Sequence, residues 1–273
     1  MSQNDVAIAG TRDRDETGAD ADGASLLVLI GVAAFVISLV AFAPAALIRP
    51  LIDPYAPLLT YERLDGSFWR GAVKRLSVDD LDFGDVTYSI NPLSLLMGRA
   101  SVHLAVNGSA ATGQGRVSIN PFKGEFDVRN ADLDFELSSI KRYSLFGIPY
   151  QGNVRVSVGA FSWSPRQGCA RAQGSIWTDA LDGPMRQLGE DGIEFAGPFA
   201  CNQKDVELRL AGGSSAGDVD ITISVAPDLT YNLAVGVRST RLDAADTLRA
   251  IGFEEKNGRL VYDAYGPLRG LGS

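Results

Sequence analysis

From Ala24 to Ile48 the chain carries no charged side chain, and Ser25 and Ser38 are its only hydroxyl residues there. A helix of about 20 apolar residues spans roughly 30 Å, the thickness of a bilayer's hydrocarbon core. The run from Leu26 through Phe42 meets that length, and Pro44 and Pro50 mark where the helix would reach the interface. A cleaved signal peptide is the competing reading, since Ala41-Phe42-Ala43 resembles a small-x-small cleavage site. The preceding region is acidic, the apolar run exceeds the usual h-region, and Pro44 would follow the cut. The segment is therefore read as an uncleaved transmembrane helix over 24–48, not as a buried core helix.

Ahead of it, residues 1–23 hold six acids (Asp5, Asp13, Asp15, Glu16, Asp20, Asp22) and two bases (Arg12, Arg14). Such a polar, acidic stretch, with few large apolar residues, cannot bury a core and reads as a disordered acidic tail. The remaining sequence shows no basic patch, which argues against nucleic acid as a partner. Orientation stays open on charge alone, because Arg12 and Arg14 on one side are balanced by Arg49 and Arg63 on the other.

After a linker at 49–57 the period changes to two. Alternating runs occur at Val102–Val106, Gly115–Ile119, Glu125–Val128, Val154–Val158, Val206–Leu210, Val219–Val225 and Tyr231–Val237. Bounded by Gly, Asn, Pro and Ser, they predict antiparallel strands with one buried face over a β-rich domain at 58–273. Three short helices are expected. One covers Asn91–Gly98, with Asn91 as cap, Pro92 in the first turn and Gly98 as stop. The others cover Asp243–Ile251 and Ser138–Phe146.

The body also repeats an order of elements: strand, turn, strand, turn, strand, helix, strand. Units at about 102–156 and 206–262 can be overlaid, with Val128–Asp134 laid on Val237–Asp243. Two such units predict one sheet extended edge to edge around a shared concave face.

Chemistry has little to stand on. His103 is the sole histidine and reads as a partly exposed strand residue. No nucleophile elbow, phosphate loop or dinucleotide fingerprint occurs. Asp79, Asp80, Asp82 and Asp85 read as a solvated strand and turn, without a calcium-loop frame. Asn107-Gly108-Ser109 reads as a turn. Cys169 and Cys201 are the only cysteines: either a disulfide, which suggests an oxidising compartment, or two buried thiols. No Cys/His set for zinc accompanies them. No catalytic, cofactor or metal residue is therefore expected. Phe68-Trp69, flanked by Gly66 and Gly71, reads as a core anchor at a bend and not as a membrane-belt pair.

These residues resemble the type II secretion system protein N family. The family's Gly-Thr-x-Trp-x-Gly signature is matched by Gly66-Ser67-Phe68-Trp69-Arg70-Gly71, with Ser67 in place of Thr. Its Asn-Pro-x-x-Leu-Leu-x-Gly-Arg stretch is matched by Asn91 to Arg99, including Pro92 and Gly98. Trp163 to Pro165, Cys169, Gly197 to Cys201, Gly252 and Gly258 follow in the family's order, with Ile251 where Leu is common. The resemblance implies a single-span bacterial inner-membrane protein, N-terminus cytoplasmic, with its main domain in the periplasm. It implies an accessory or scaffold role in exporting folded proteins, other secretion components as partners, and no enzymatic activity. It also implies kinship with elongated, curved β-sheet proteins of the AsmA-like group, and hence the alternative of a periplasmic lipid-binding protein with an apolar groove.

Overall fold

A computed structural model describes residues 28–32, 34–35, 38, 42–48, 59–78, 81–137, 144–145, 148–149, 151–187, 191–215 and 217–268. The chain divides into two compact units, Met1–Ala43 and Pro44–Ser273. In the first, the described residues 28–32, 34–35 and 38 are helical, with Val28, Leu29, Ile30, Val32 and Phe35 exposed. Among the described residues no helix is long and apolar enough to cross a membrane. Much of the 24–48 segment lies outside the described residues, as do the tail at 1–23 and the linker at 49–57. Ala45–Ile48 form a 3-10 turn that belongs to the second unit.

In the second unit the period-two runs become one antiparallel sheet. The first strands are β1 (Leu59–Thr60), β2 (Arg63–Gly66), β3 (Arg70–Val78) and β4 (Leu81–Ile90). Helix α1 (Pro92–Leu96) leads to β5 (Ala100–Asn107), β6 (Ala111–Asn120) and β7 (Glu125–Glu136). A small hairpin, β8 (Ser144–Leu145) with β9 (Ile148–Pro149), stands apart from the sheet. Then come β10 (Asn153–Ser164), β11 (Gly168–Thr178), α2 (Asp182–Gln187), β12 (Phe195–Asn202), β13 (Asp205–Ser214), β14 (Gly217–Val225) and β15 (Thr230–Ser239). Helix α3 (Leu242–Ala250), β16 (Glu254–Lys256) and β17 (Arg259–Pro267) complete the unit.

The large sheet has fifteen strands, ordered β1-β3-β4-β5-β6-β7-β10-β11-β12-β13-β14-β15-β17-β16, with β2 also on β3. At about 4.8 Å per strand it extends roughly 60 Å along its hydrogen-bond direction. Most connections are tight turns between neighbours, and the four longer ones carry α1, the β8–β9 hairpin, α2 and α3 with β16, so the topology is a meander.

Local chemistry explains the breaks. Asn91 Oδ1 accepts the Leu93 N–H at 3.0 Å, Pro92 opens α1, and Gly98 at φ +71° turns the chain into β5. The expected helix at Asp243–Ile251 is present as α3. The one expected at Ser138–Phe146 is not helical where it is described: Ser144–Leu145 pairs with Ile148–Pro149, and residues 138–143 and 146 lie outside the described residues.

The sheet sets the blocks β5-β6-β7-β10 and β13-β14-β15-β17 in the same order, each with an excursion before its fourth strand. The residue overlay drawn from the sequence fails at one point. Val128–Asp134 lies wholly inside β7, whereas Val237–Ser239 ends β15 and Leu242 begins α3.

Candidate functional site

Because side chains alternate along a strand, residues opposite each other on paired strands share a face. One row runs Ala131, Val158, Gly174, Phe199, Leu208, Ile223, Leu233, Ala264, crossing eight strands. Another runs Val73, Val86, Val106, Gly113, Leu133, Val156, Ile176, Gly197. Neither row contains a charged side chain. The opposite face reads His103, Arg116, Arg129, Ala160, Gln173, Ala200, Glu207, Ser224, Asn232, Tyr265. The sheet therefore has one apolar and one polar face.

Every buried apolar residue within a strand lies on the apolar face: Val86, Tyr88, Ala111, Ala131, Cys169, Ala172, Phe195, Phe199 and Leu260. Most other members of that face are half-buried.

Two ring pairs reach across strands on this face. Phe83 of β4 reaches Phe135 of β7, three strands away, with ring centroids 5.9 Å apart and nearly perpendicular. In a flat sheet those strands would lie about 14 Å apart. Phe161 of β10 reaches Phe199 of β12 at 6.5 Å. The strand between them presents Ala172 and Gly174, and a Cβ on Gly174 would land on the Phe199 ring. Small residues on intervening strands thus let aromatic side chains meet above them.

The cysteines lock the same region. Cys169 and Cys201 form a disulfide with Cα atoms 5.5 Å apart. It packs with Ala172 and Phe199, bordered by Val158, Phe161, Ile176, Val206 and Leu208. Of the two readings of this pair, the structure takes the disulfide.

The signature residues frame the β3–β4 end. Gly66 adopts φ +98° and Ser67 accepts the Arg70 N–H on Oγ at 3.2 Å, which makes a tight bend. The Trp69 ring packs edge-on against Phe68 at 5.1 Å, and the Trp69 carbonyl accepts the Ile90 N–H. Both aromatics are half-buried, so they border the core without entering it. Gly71 lies under Tyr88, whose hydroxyl donates to the Ser67 carbonyl at 2.8 Å. Burial pushes the Tyr88 phenol up from its ordinary value. Trp163 faces Phe126 and Cys169 from β10, and Pro165 opens the turn into β11. Thus Gly66, Trp69 and Gly71 cluster together, Asn91, Pro92 and Gly98 build α1, and Trp163 stands across from Cys169 with Pro165 in the turn that follows.

Polar groups form no reaction centre of comparable definition. His103 stands on the polar face with Nδ1 2.9 Å from the Gly115 carbonyl. Asp82 accepts the Gly84 N–H at 2.8 Å and the Ser109 hydroxyl at 3.2 Å, closing turns. One depression, about 680 Å³, is lined by Asp182, Arg186, Asp191, Gly192, Glu194 and Gly213. Its charged groups are engaged locally: Arg186 with Asp182 at 3.1 Å, Glu194 with Trp177 Nε1 at 3.3 Å, and Asp191 with Ser215. Among the described residues no group of three or more His, Cys, Asp or Glu could hold a metal ion.

A family model described as "Type II secretion system (T2SS), protein N" matches residues 57–262. The chain belongs to the type II secretion system protein N family. It is thus a component of type II secretion, and the matched span takes in almost the whole sheet, from β1 into β17. Gly66, Trp69, Gly71, Asn91, Pro92, Gly98, Trp163 and Pro165 turn, cap or pack strands. In this member they serve the architecture of the sheet. No curated protein and no solved structure matches the chain.

Sequence reasoning missed β3, β11, β12, α2 and the short strands β1, β2, β8, β9 and β16, and it saw of β4 only the strand and turn read at Asp79–Asp85. Strand β12 contains Gly197 and Pro198, which normally demote a strand. It tolerates them because its ladder to β13 passes from Ala196–Ala211 to Phe199–Leu208 without a pair at either residue. The continuous apolar face was only partly visible, since the glycines and alanines that complete it carry no hydrophobic signal.

Proposed function

We propose that this protein is a non-enzymatic accessory or scaffold subunit of the type II secretion system. The segment 24–48 anchors it in the bacterial inner membrane, with the acidic tail 1–23 in the cytoplasm. The linker 49–57 then leads to a β-rich periplasmic domain, 58–273, composed of two related units, 102–156 and 206–262, in an elongated, curved sheet. The match over residues 57–262 carries the secretion role. The Cys169–Cys201 bond supports an oxidising compartment. A sheet of fifteen strands gives a long, regular surface for other inner-membrane and periplasmic components of the machine. Crosslinking in native membranes is expected to recover such components, and deletion is expected to lower secretion of folded substrates. A chain that leaves membranes in carbonate, or a deletion strain that secretes normally, would overturn the assignment.

One observation favours a second reading. The apolar face runs uncharged from Val73 to Ala264 and carries the ring pairs Phe83–Phe135 and Phe161–Phe199. That is a surface fit for acyl chains, as in a periplasmic lipid-binding protein. Native mass spectrometry of residues 44–273, the second compact unit, tests it. Co-purifying phospholipid supports the reading, and a bare protein mass opposes it.

A further inference from the structure

The two ends of the sheet are finished differently. At one end the outer edge of β3 is closed by β1 at Ser77 and Val78 and by β2 from Gly71 to Lys74. The 3-10 turn Ala45–Ile48 packs on β2, and Pro44 bridges to Ser67. At the other end β17 is the last long strand, and β16 covers only Arg259 to Val261. From Tyr262 to Pro267 the outer edge of β17 has no strand partner among the described residues.

The direction of the free groups follows from the turn. Asn257 and Gly258, at φ +54° and +74°, form a two-residue hairpin loop. Its flanking residues Lys256 and Arg259 are then a mutually hydrogen-bonded pair. Counting along β17 by twos, Val261, Asp263 and Tyr265 also turn their N–H and C=O groups outward. The Leu268 N–H donates to the Leu229 carbonyl at 2.8 Å, which turns the even-numbered residues toward β15, in agreement. Among the described residues, Asp263 and Tyr265 therefore offer an unused ladder, and such an edge is a template for another strand.

We infer that this edge pairs with the same edge of a second copy, antiparallel, about a two-fold axis at Tyr265. The register is constrained by β16, because Glu254 fills the place opposite Val261. Centring the pair on Ala264 would drive Pro267 of the second copy onto Glu254. Centring it on Tyr265 moves Pro267 opposite Asp263, so that the second copy's β17 ends short of Glu254. The two Tyr265 residues then exchange both backbone hydrogen bonds, and each Asp263 N–H donates to the opposing Pro267 carbonyl. Pro267 has no N–H to strand there.

Two further observations favour a second copy as the occupant. Tyr265 is 87 % exposed in the single chain, a large ring standing where its counterpart would meet it across the axis. On the other face Ala264 would lie opposite Gly266, so no bulky side chain opposes the approach. The two-fold stands perpendicular to the sheet, so the apolar faces of both copies stay on one side and join into a longer surface.

Cysteine scanning of the full chain in membranes tests the pairing. A hydrogen-bonded antiparallel pair sets Cα atoms about 5.5 Å apart, within disulfide reach. Tyr265→Cys is expected to give a covalent dimer under mild oxidation. In the same register Asp263→Cys stands about 14 Å from its counterpart and Val261→Cys about 27 Å, so their yields should be at least tenfold lower, roughly, on distance alone. Adding Asp263→Pro to Tyr265→Cys removes an outward N–H without touching the β15 ladder, and should suppress the dimer. Equal yields at all three positions, crosslinking of Tyr265→Cys to a different protein, or no dimer from a chain whose Cys169–Cys201 bond is intact would each overturn the proposal.

Discussion

Tyr88 lies across the backbone of Gly71 on the neighbouring strand, close enough that a Cβ there would land on its hydroxyl and on the Asp65 carbonyl. The same hydroxyl donates to the Ser67 carbonyl at 2.8 Å, so one tyrosine holds both sides of the signature bend. Gly71→Ala should therefore displace the ring and leave a buried phenol without its acceptor. Overpacking and a lost buried hydrogen bond together predict a loss of about 2–4 kcal/mol. Chemical denaturation of residues 44–273 would read it. An unchanged midpoint would show that the ring does not need this contact.

The disulfide closes a loop of sequence separation 32 inside the best-buried part of the sheet. On the chain-entropy model, losing it costs about 3–4 kcal/mol. Paired Cys169→Ser and Cys201→Ser is expected to lower the midpoint accordingly. The wild-type protein should show the same fall on reduction, and the double variant should be insensitive to reductant.

Asn91 is the only side-chain cap seen on α1, through the Leu93 N–H at 3.0 Å. Asn91→Ala should cost about 1 kcal/mol, and Asn91→Asp or Asn91→Ser much less. Hydrogen exchange at Leu93 would report this locally, rising in the alanine variant alone.

Asp85 accepts a hydrogen bond from Lys74 Nζ at 2.7 Å and another from the Arg75 N–H at 3.3 Å. These hold its carboxyl below the usual carboxylate range, the Lys74 bond first. A lowered folded-state value means that the contribution is full above the ordinary carboxylate pKa and disappears as pH falls through the folded value. Stability measured from about pH 6 down to about pH 3 should therefore fall less steeply in Asp85→Asn than in the wild type. Parallel curves would show that the pair is fully screened at the surface.

Val156 sits mid-row on the apolar face, between Leu133 and Ile176. Val156→Asp places an unpaired carboxylate among half-buried aliphatic side chains, at a cost of about 1–3 kcal/mol from lost burial and desolvation. If acyl chains occupy the face, the variant should also release co-purifying lipid. Ser175→Asp, exposed on the polar face of the neighbouring strand, should leave both stability and lipid content unchanged.

Much of the strand content is written locally. The runs at Val102–Val106, Val206–Leu210 and Tyr231–Val237 declare their faces by alternation, and each falls inside an observed strand. Asn91, Pro92 and Gly98 announce α1 because capping depends on adjacent residues. Strands β11 and β12 hide because Gly174, Gly197 and Pro198 are poor strand formers in isolation and are tolerated by their neighbours.

Residue order alone specifies a long uncharged apolar stretch, a strand-rich body, a short capped helix and a cysteine pair able to bond. These follow from periodicity and from contacts between near neighbours. Tertiary structure decided which strand lies beside which, that Cys169 bonds Cys201, and that Phe83 meets Phe135 over two intervening strands. Such contacts join residues far apart in the chain, and a one-residue change in pairing register would send each side chain to the other face.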